Sequence, residues 1–174
     1  MTTPQQQTNF ATVVLGLLKS AGINGAQLSF ALAQVLHETG NKFIGIAKTD
    51  NNLSGIKFKN NSILQKNASR GSLSPEGNNY AHFRTLEDWA KDYKRILSSN
   101  RGGTGKPIDS STVLEFVTRL RNNGYFTDTI ENYSKGLNFW YDKAKTLVPS
   151  NSLVPSNSGL ILLSILVVGI IVFT

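Results

Sequence analysis

Apolar residues recur at three-to-four spacing through most of this chain, and the pattern stops between Asn41 and Asn79, where Asn, Ser, Gly and Lys take over. That alternation predicts a mainly α domain of four or five helices around a small irregular or β insert. Phe10, Val13, Val14, Leu17 and Leu18 mark one face of a first helix that Gly22 closes. A second helix begins after Asn24, carries Leu28, Ala31, Leu32, Val35 and Leu36, and stops near Thr39–Gly40. Helical spacing resumes at Thr85, an N-cap with Asp88 completing a capping box, and runs through Leu86, Trp89, Tyr93, Ile96 and Leu97. Val113, Phe116, Val117 and Leu120 face inward on the next helix, which ends at Gly124. Ile130, Tyr133, Leu137, Trp140 and Ala144 do so on the last.

Charge divides the chain. Lys and Arg number 18 against 11 Asp and Glu, and all of them lie between Lys19 and Lys145. The balance of +7 favours an anionic partner, whether nucleic acid, a lipid surface or an acidic cell-wall polymer. The final stretch, Gly159 to Thr174, is apolar on every side and reads as a C-terminal transmembrane helix. At about 1.5 Å per residue it is short for a hydrocarbon core of about 30 Å, and the uncharged flank from Leu153 would lengthen it. Between domain and anchor LVPSNS occurs twice, at Leu147–Ser152 and Leu153–Ser158, as an extended linker does. The expected organisation is therefore a domain over residues 1–146, a linker over 147–158 and a membrane anchor over 159–174. Met1–Thr8 holds no Lys or Arg, so no signal peptide is read there.

The absence of cysteine removes disulfide frameworks, thiolate zinc sites and cysteine nucleophiles. Glu38 stands near the C-terminus of an apolar helix, where the dipole and partial burial both raise a carboxyl pKa, as a general acid near neutral pH requires. On position alone a solvated residue on the helix edge fits better. His37 beside it suggests a zinc-protease helix, but HExxH needs a histidine where this chain has Asn41, so no metal and no cofactor is expected. Lys42, Lys48, Lys57, Lys59, Lys66 and Arg70 face only Asp50 across residues 42–70, as a solvated loop or a groove for an anionic polymer. Specific nucleic-acid binding is not expected, because no helix concentrates Arg and Lys at its start. The string from Asn51 to Lys57 reads as a turn before a short strand, with paired amides that cap it or meet a sugar.

Four strings in order resemble the glucosaminidase domain, glycoside hydrolase family 73, the family of the flagellar-rod peptidoglycan hydrolase and many autolysins. They are ALAQVLHETG, NNLSGIKFK thirteen residues after the glutamate, YAHFRTLEDWAKDY, and NNGYFTD followed by YSKGL. Gln34 and Glu38 keep the first family spacing, Asn51 and Asn52 the second, Asp92 and Tyr93 the third, and Gly124, Tyr125, Thr127 and Asp128 the fourth. The resemblance implies a lysozyme-like helical fold and cleavage of the β-1,4 bond after N-acetylglucosamine in peptidoglycan glycan strands. It implies Glu38 as the general acid and Tyr125 as the tyrosine that orients the sugar. Asn51, Asn52, Gly55, Lys57 and Tyr80, in the matching strings, are implied substrate-binding residues.

Glycosidases commonly need a second carboxylate. Glu76, the only glutamate of the insert, is the candidate, with Asp50 its rival; the substrate's own acetamido group, or a lytic transglycosylase using one glutamate, would need neither. Ser54 stands where the family has Phe, and Thr39-Gly40-Asn41-Lys42 where it has Ser-Gly-Trp-Gly, which removes an aromatic surface for sugar stacking. The anchor and the missing export signal together suggest an enzyme carried on a virion membrane, beside other virion proteins, or a phage lysis enzyme. The alternatives are a muramidase or transglycosylase on the same polymer, or a non-catalytic wall-binding membrane protein.

Overall fold

A computed structural model describes residues 3–59, 65 and 67–148. The LVPSNS linker beyond Val148 and the apolar run 159–174 lie outside the described residues, among which no helix is long and apolar enough to cross a membrane.

Helix α1 (Pro4–Ser20) starts at Thr3, whose hydroxyl accepts from the Gln6 amide at 3.2 Å while the Gln6 side chain accepts from the Thr3 amide at 2.8 Å. Two of the helix's four orphan donors are satisfied this way. Its inward stripe is Ala11, Val14 and Leu18, so Val13, expected inside, is 54% exposed. The offset is geometric: positions three and four from Val14 share its face, whereas the adjacent residue points about 100° away.

Helix α2 (Ala26–Thr39) is the axis of the domain. Every residue from Leu28 to Leu36 is buried, because α1 covers one side and α6 (Ile130–Leu147) another. Phe30 stacks between Phe116 of α5 (Val113–Asn122), at 5.5 Å, and Tyr141 of α6, at 4.7 Å. Each such fully buried side chain contributes about 1.5–3 kcal/mol. The helix ends at Gly40, whose φ of 58° suits a left-handed cap without a Cβ penalty.

The insert is a small antiparallel construction rather than loose loop. A helical turn, α3 (Ile46–Thr49), leads into the turn 51–55, and strands β1 (Ala68–Leu73) and β2 (Asn79–Phe83) form a hairpin. The extended segment 56–58 lies along the other edge of β2, with the Ala81 amide donating to the Ile56 carbonyl and the Phe58 amide to the Asn79 carbonyl. Helix α4 (Leu86–Leu97) follows, N-capped by Thr85 as expected. The reciprocal half of the expected capping box is absent, because the Asp88 carboxylate accepts from Asn67 at 2.8 Å instead and ties the start of β1 to α4. A short 3-10 turn at Pro107–Asp109 precedes α5.

Candidate active site

Glu38 sits two residues beyond the fully buried part of α2, where the helix emerges from the core. The residue is open to solvent on one side, and protein packs closely around its carboxyl on the others. Desolvation is the larger influence and pushes its pKa up; a hydrogen bond from Tyr133 works the other way. The Tyr133 hydroxyl on α6 donates to Glu38 Oε1 at 2.7 Å and accepts from the Gln34 amide at 3.2 Å. Gln34 is fully buried, and its carbonyl oxygen accepts from the Tyr93 hydroxyl on α4. A directed series therefore runs from Tyr93 through Gln34 and Tyr133 to one oxygen of Glu38. The single Tyr133 proton is committed to Oε1, which leaves Oε2 outside this series.

Oε2 faces the insert. A Cβ placed on Gly55 would lie 3.9 Å from Glu38 Oε2 and 3.9 Å from the Tyr80 ring edge, so Gly55 forms the floor between them. Gly55 adopts φ of 63°, a left-handed conformation that glycine enters freely. Burial and the nearby Glu38 carboxyl raise the pKa of Tyr93, Tyr125 and Tyr133, so all three phenols stay neutral donors.

The turn beneath Glu38 is held by amides. Asn52, 1% exposed, donates to the carbonyls of Ile56 (2.8 Å) and Ala81 (2.9 Å) and accepts from the amides of Ile56 (3.0 Å) and Ser54 (3.4 Å). Asn51 donates to the Phe83 carbonyl at 3.0 Å. Both amides, expected to meet substrate, are thus hydrogen-bonded to backbone, and they shape the turn that brings Gly55 under the acid. Ser54 is buried, and its hydroxyl accepts from the Trp89 indole at 2.9 Å. The residue that replaces a family aromatic therefore faces the core, and the expected loss of a stacking surface at this position does not follow. The Tyr125 hydroxyl donates to the Ser54 carbonyl, which docks the loop after α5 against the same turn.

Lys57 lies 3.9 Å over the Tyr80 ring and pairs with Glu76 on the hairpin turn at 2.9 Å. Glu76 is exposed, and its hydrogen bond from Lys57 foremost holds its pKa down to about 2. Glu38, Gly55, Tyr80, Lys57 and Glu76 thus form a connected series across one face. The rival, Asp50, is buried, with the Ser72 amide at 3.2 Å and His82 at 3.3 Å on its oxygens; it binds the hairpin together. His37 packs edge-on against Tyr133 at 4.9 Å, and burial lowers its pKa against an opposing pull from Asp128. Among the described residues no group of three or more His, Cys, Asp or Glu converges where a metal ion would sit. Sequence reasoning missed the role of Tyr133, which occupies a core position in the apolar period of α6 and meets Glu38 across 95 residues of chain.

Comparison with known proteins bears on the family and the fold. The family described as Glucosaminidase: Mannosyl-glycoprotein endo-beta-N-acetylglucosaminidase matches residues 17–146. A chain of a type VI secretion system effector–immunity complex from Pseudomonas protegens shares the fold at a TM-score of 0.55 and 15% identity, covering 81% of this chain and 94% of that one. The catalytic domain of the autolysin Auto from Listeria monocytogenes does so at 0.54 and 18%, covering 83% and 88%. No curated protein sequence is significantly similar to the chain.

Proposed function

The chain belongs to the glucosaminidase family and is a glycoside hydrolase; from that premise we propose that it acts on peptidoglycan, with Glu38 as its general acid in cleaving the β-1,4 bond after N-acetylglucosamine. The observation that carries this reading is a carboxyl at the end of a buried helix whose pKa desolvation raises, with one oxygen held by Tyr133 and the other facing the cleft. Glu38 Oε2 gives its proton to the glycosidic oxygen as the bond from the sugar's anomeric carbon breaks, and water then adds at that carbon. Glu76, ionised at all working pH values, is the second carboxylate in this reading, and Tyr125, Gly55, Tyr80 and Lys57 line the sugar's path. The first test is release of soluble fragments from purified peptidoglycan. Wild type releases them, Glu38→Gln does not, and Glu76→Gln slows release; full activity of Glu38→Gln would end the proposal.

The reading extends to location. The uncharged run 159–174 tethers the enzyme to a lipid membrane, that of a virion that brings it to a host wall or, alternatively, that of the cell a phage lyses. Its support is the composition of that run. Recovery of the full chain with membranes, lost when residues 159–174 are deleted, is the expected result; recovery in the soluble fraction refutes it.

A further inference from the structure

A second feature adjoins the acid. From Gly55 and Tyr125 a groove of about 380 Å³ continues away from Glu38, with Ile56 and Ile96 contributing apolar surface and Lys57, Lys59, Arg95 and Arg101 contributing charge. Both walls are constructed rather than accidental. On one, buried Gln65 accepts from the Lys59 amide at 2.8 Å and donates to the Lys57 carbonyl at 3.1 Å, which fixes that extended segment. Residues two apart in extended chain share a face, so both lysines line the groove. Gln65 also reaches Asp92, 3.4 Å away, whose carboxylate holds Arg95 from below at 2.5 Å. On the other wall, Asn123 accepts from the Gly102 amide at 2.7 Å and donates to the Ser99 carbonyl at 2.8 Å, stapling the Arg101 loop to the end of α5.

The acids here are committed. Asp92 is buried against Arg95, and Glu76 is paired with Lys57. Among the described residues Lys59 and Arg101 have no carboxylate in ion-pair range. A neutral glycan has no use for a cationic wall over an apolar floor, whereas a short peptide of small apolar and acidic residues matches both. In peptidoglycan such a peptide hangs from the lactyl group of the sugar adjoining each scissile bond. Resting on the peptidoglycan reading above, we propose that this groove binds the stem peptide through its carboxylates, with Lys59 and Arg101 as the specificity-determining cations.

The test uses the full chain and teichoic-acid-free glycan strands, either bearing stem peptides or stripped of them by an amidase. Wild type is expected to show a lower KM on the peptide-bearing strands. Lys59→Ala combined with Arg101→Ala is expected to raise that KM about fivefold, the effect of two exposed ion pairs, with kcat unchanged and no effect on stripped strands. Equal KM on both substrates, or the same loss on both in the double variant, overturns the stem-peptide assignment while leaving the hydrolase intact. A charge dependence seen only when teichoic acid is restored overturns it in favour of that polymer. Cleavage of neither substrate by wild type overturns the hydrolase reading itself, and this inference with it.

Discussion

Gly136 on α6 offers a test of how the acid is held. A Cβ added there would lie 2.3 Å from His37 Cε1, 2.9 Å from Nδ1 and 3.3 Å from Nε2, so the ring occupies the space that any side chain would need. Two opposing effects follow for Gly136→Ala. Alanine is favoured over glycine in a helix interior by about 1 kcal/mol. Against this, the His37 ring must leave its seat and lose its edge-on contact with Tyr133, worth about 0.5–1.5 kcal/mol, along with some buried area. In wild type the substitution is therefore nearly neutral or mildly destabilising. With His37→Ala already in place the obstacle is gone, and the full gain of about 1 kcal/mol appears. A double-mutant cycle by denaturant unfolding should yield a coupling energy of about 1 kcal/mol or more. Glycan cleavage should fall in the single Gly136→Ala variant, because the displaced ring no longer supports the tyrosine that hydrogen-bonds Glu38. Additive stabilities, with Gly136→Ala equally stabilising in both backgrounds, would refute the claim that His37 is wedged between Gly136 and Tyr133.

Other perturbations report on the same network. Glu38→Gln should abolish cleavage yet stabilise the fold at neutral pH. A folded pKa raised above the ordinary carboxyl value means that stability falls as pH rises through the window between the two, so the variant's advantage should grow upward from the ordinary carboxyl range. Unfolding curves across acidic to neutral pH check this, and a constant difference contradicts it. Tyr133→Phe removes a donor to the ionised carboxylate, so the alkaline limb of the kcat/KM profile should move to higher pH. It also leaves the buried Gln34 amide short of an acceptor, at a cost of about 1–3 kcal/mol. Asn52→Ala breaks four hydrogen bonds inside the turn and should cost about 3 kcal/mol, read as a melting temperature lowered by roughly 6–12 °C.

The helices, and the place of Glu38 at the end of a buried one, were legible in the sequence because each rests on local pattern. Apolar period announces a helix, and the polar end of the α2 pattern put Glu38 where a buried helix meets solvent. The family strings then located the turn under it. What stayed hidden depends on distant partners. Tyr133 looks like any aromatic on an inward face; only the packing of α6 across α2 turns its hydroxyl to Glu38. The Asn51–Asn52 pair is ambiguous for a related reason, since an amide serves a sugar or a backbone equally well. Burial decided for backbone at Asn52. Val13 shows the limit of face-counting, because α1 is covered by α2 along a narrower stripe than its apolar residues span.

The most direct test of the account is the chemistry of the ends it makes. Peptidoglycan digested with the protein would be reduced with borohydride and its fragments identified by mass spectrometry, with Glu38→Gln in parallel. The account predicts reduced N-acetylglucosamine ends that vanish in the variant. Reduced muramic ends, anhydro ends, or products that persist in Glu38→Gln would contradict it.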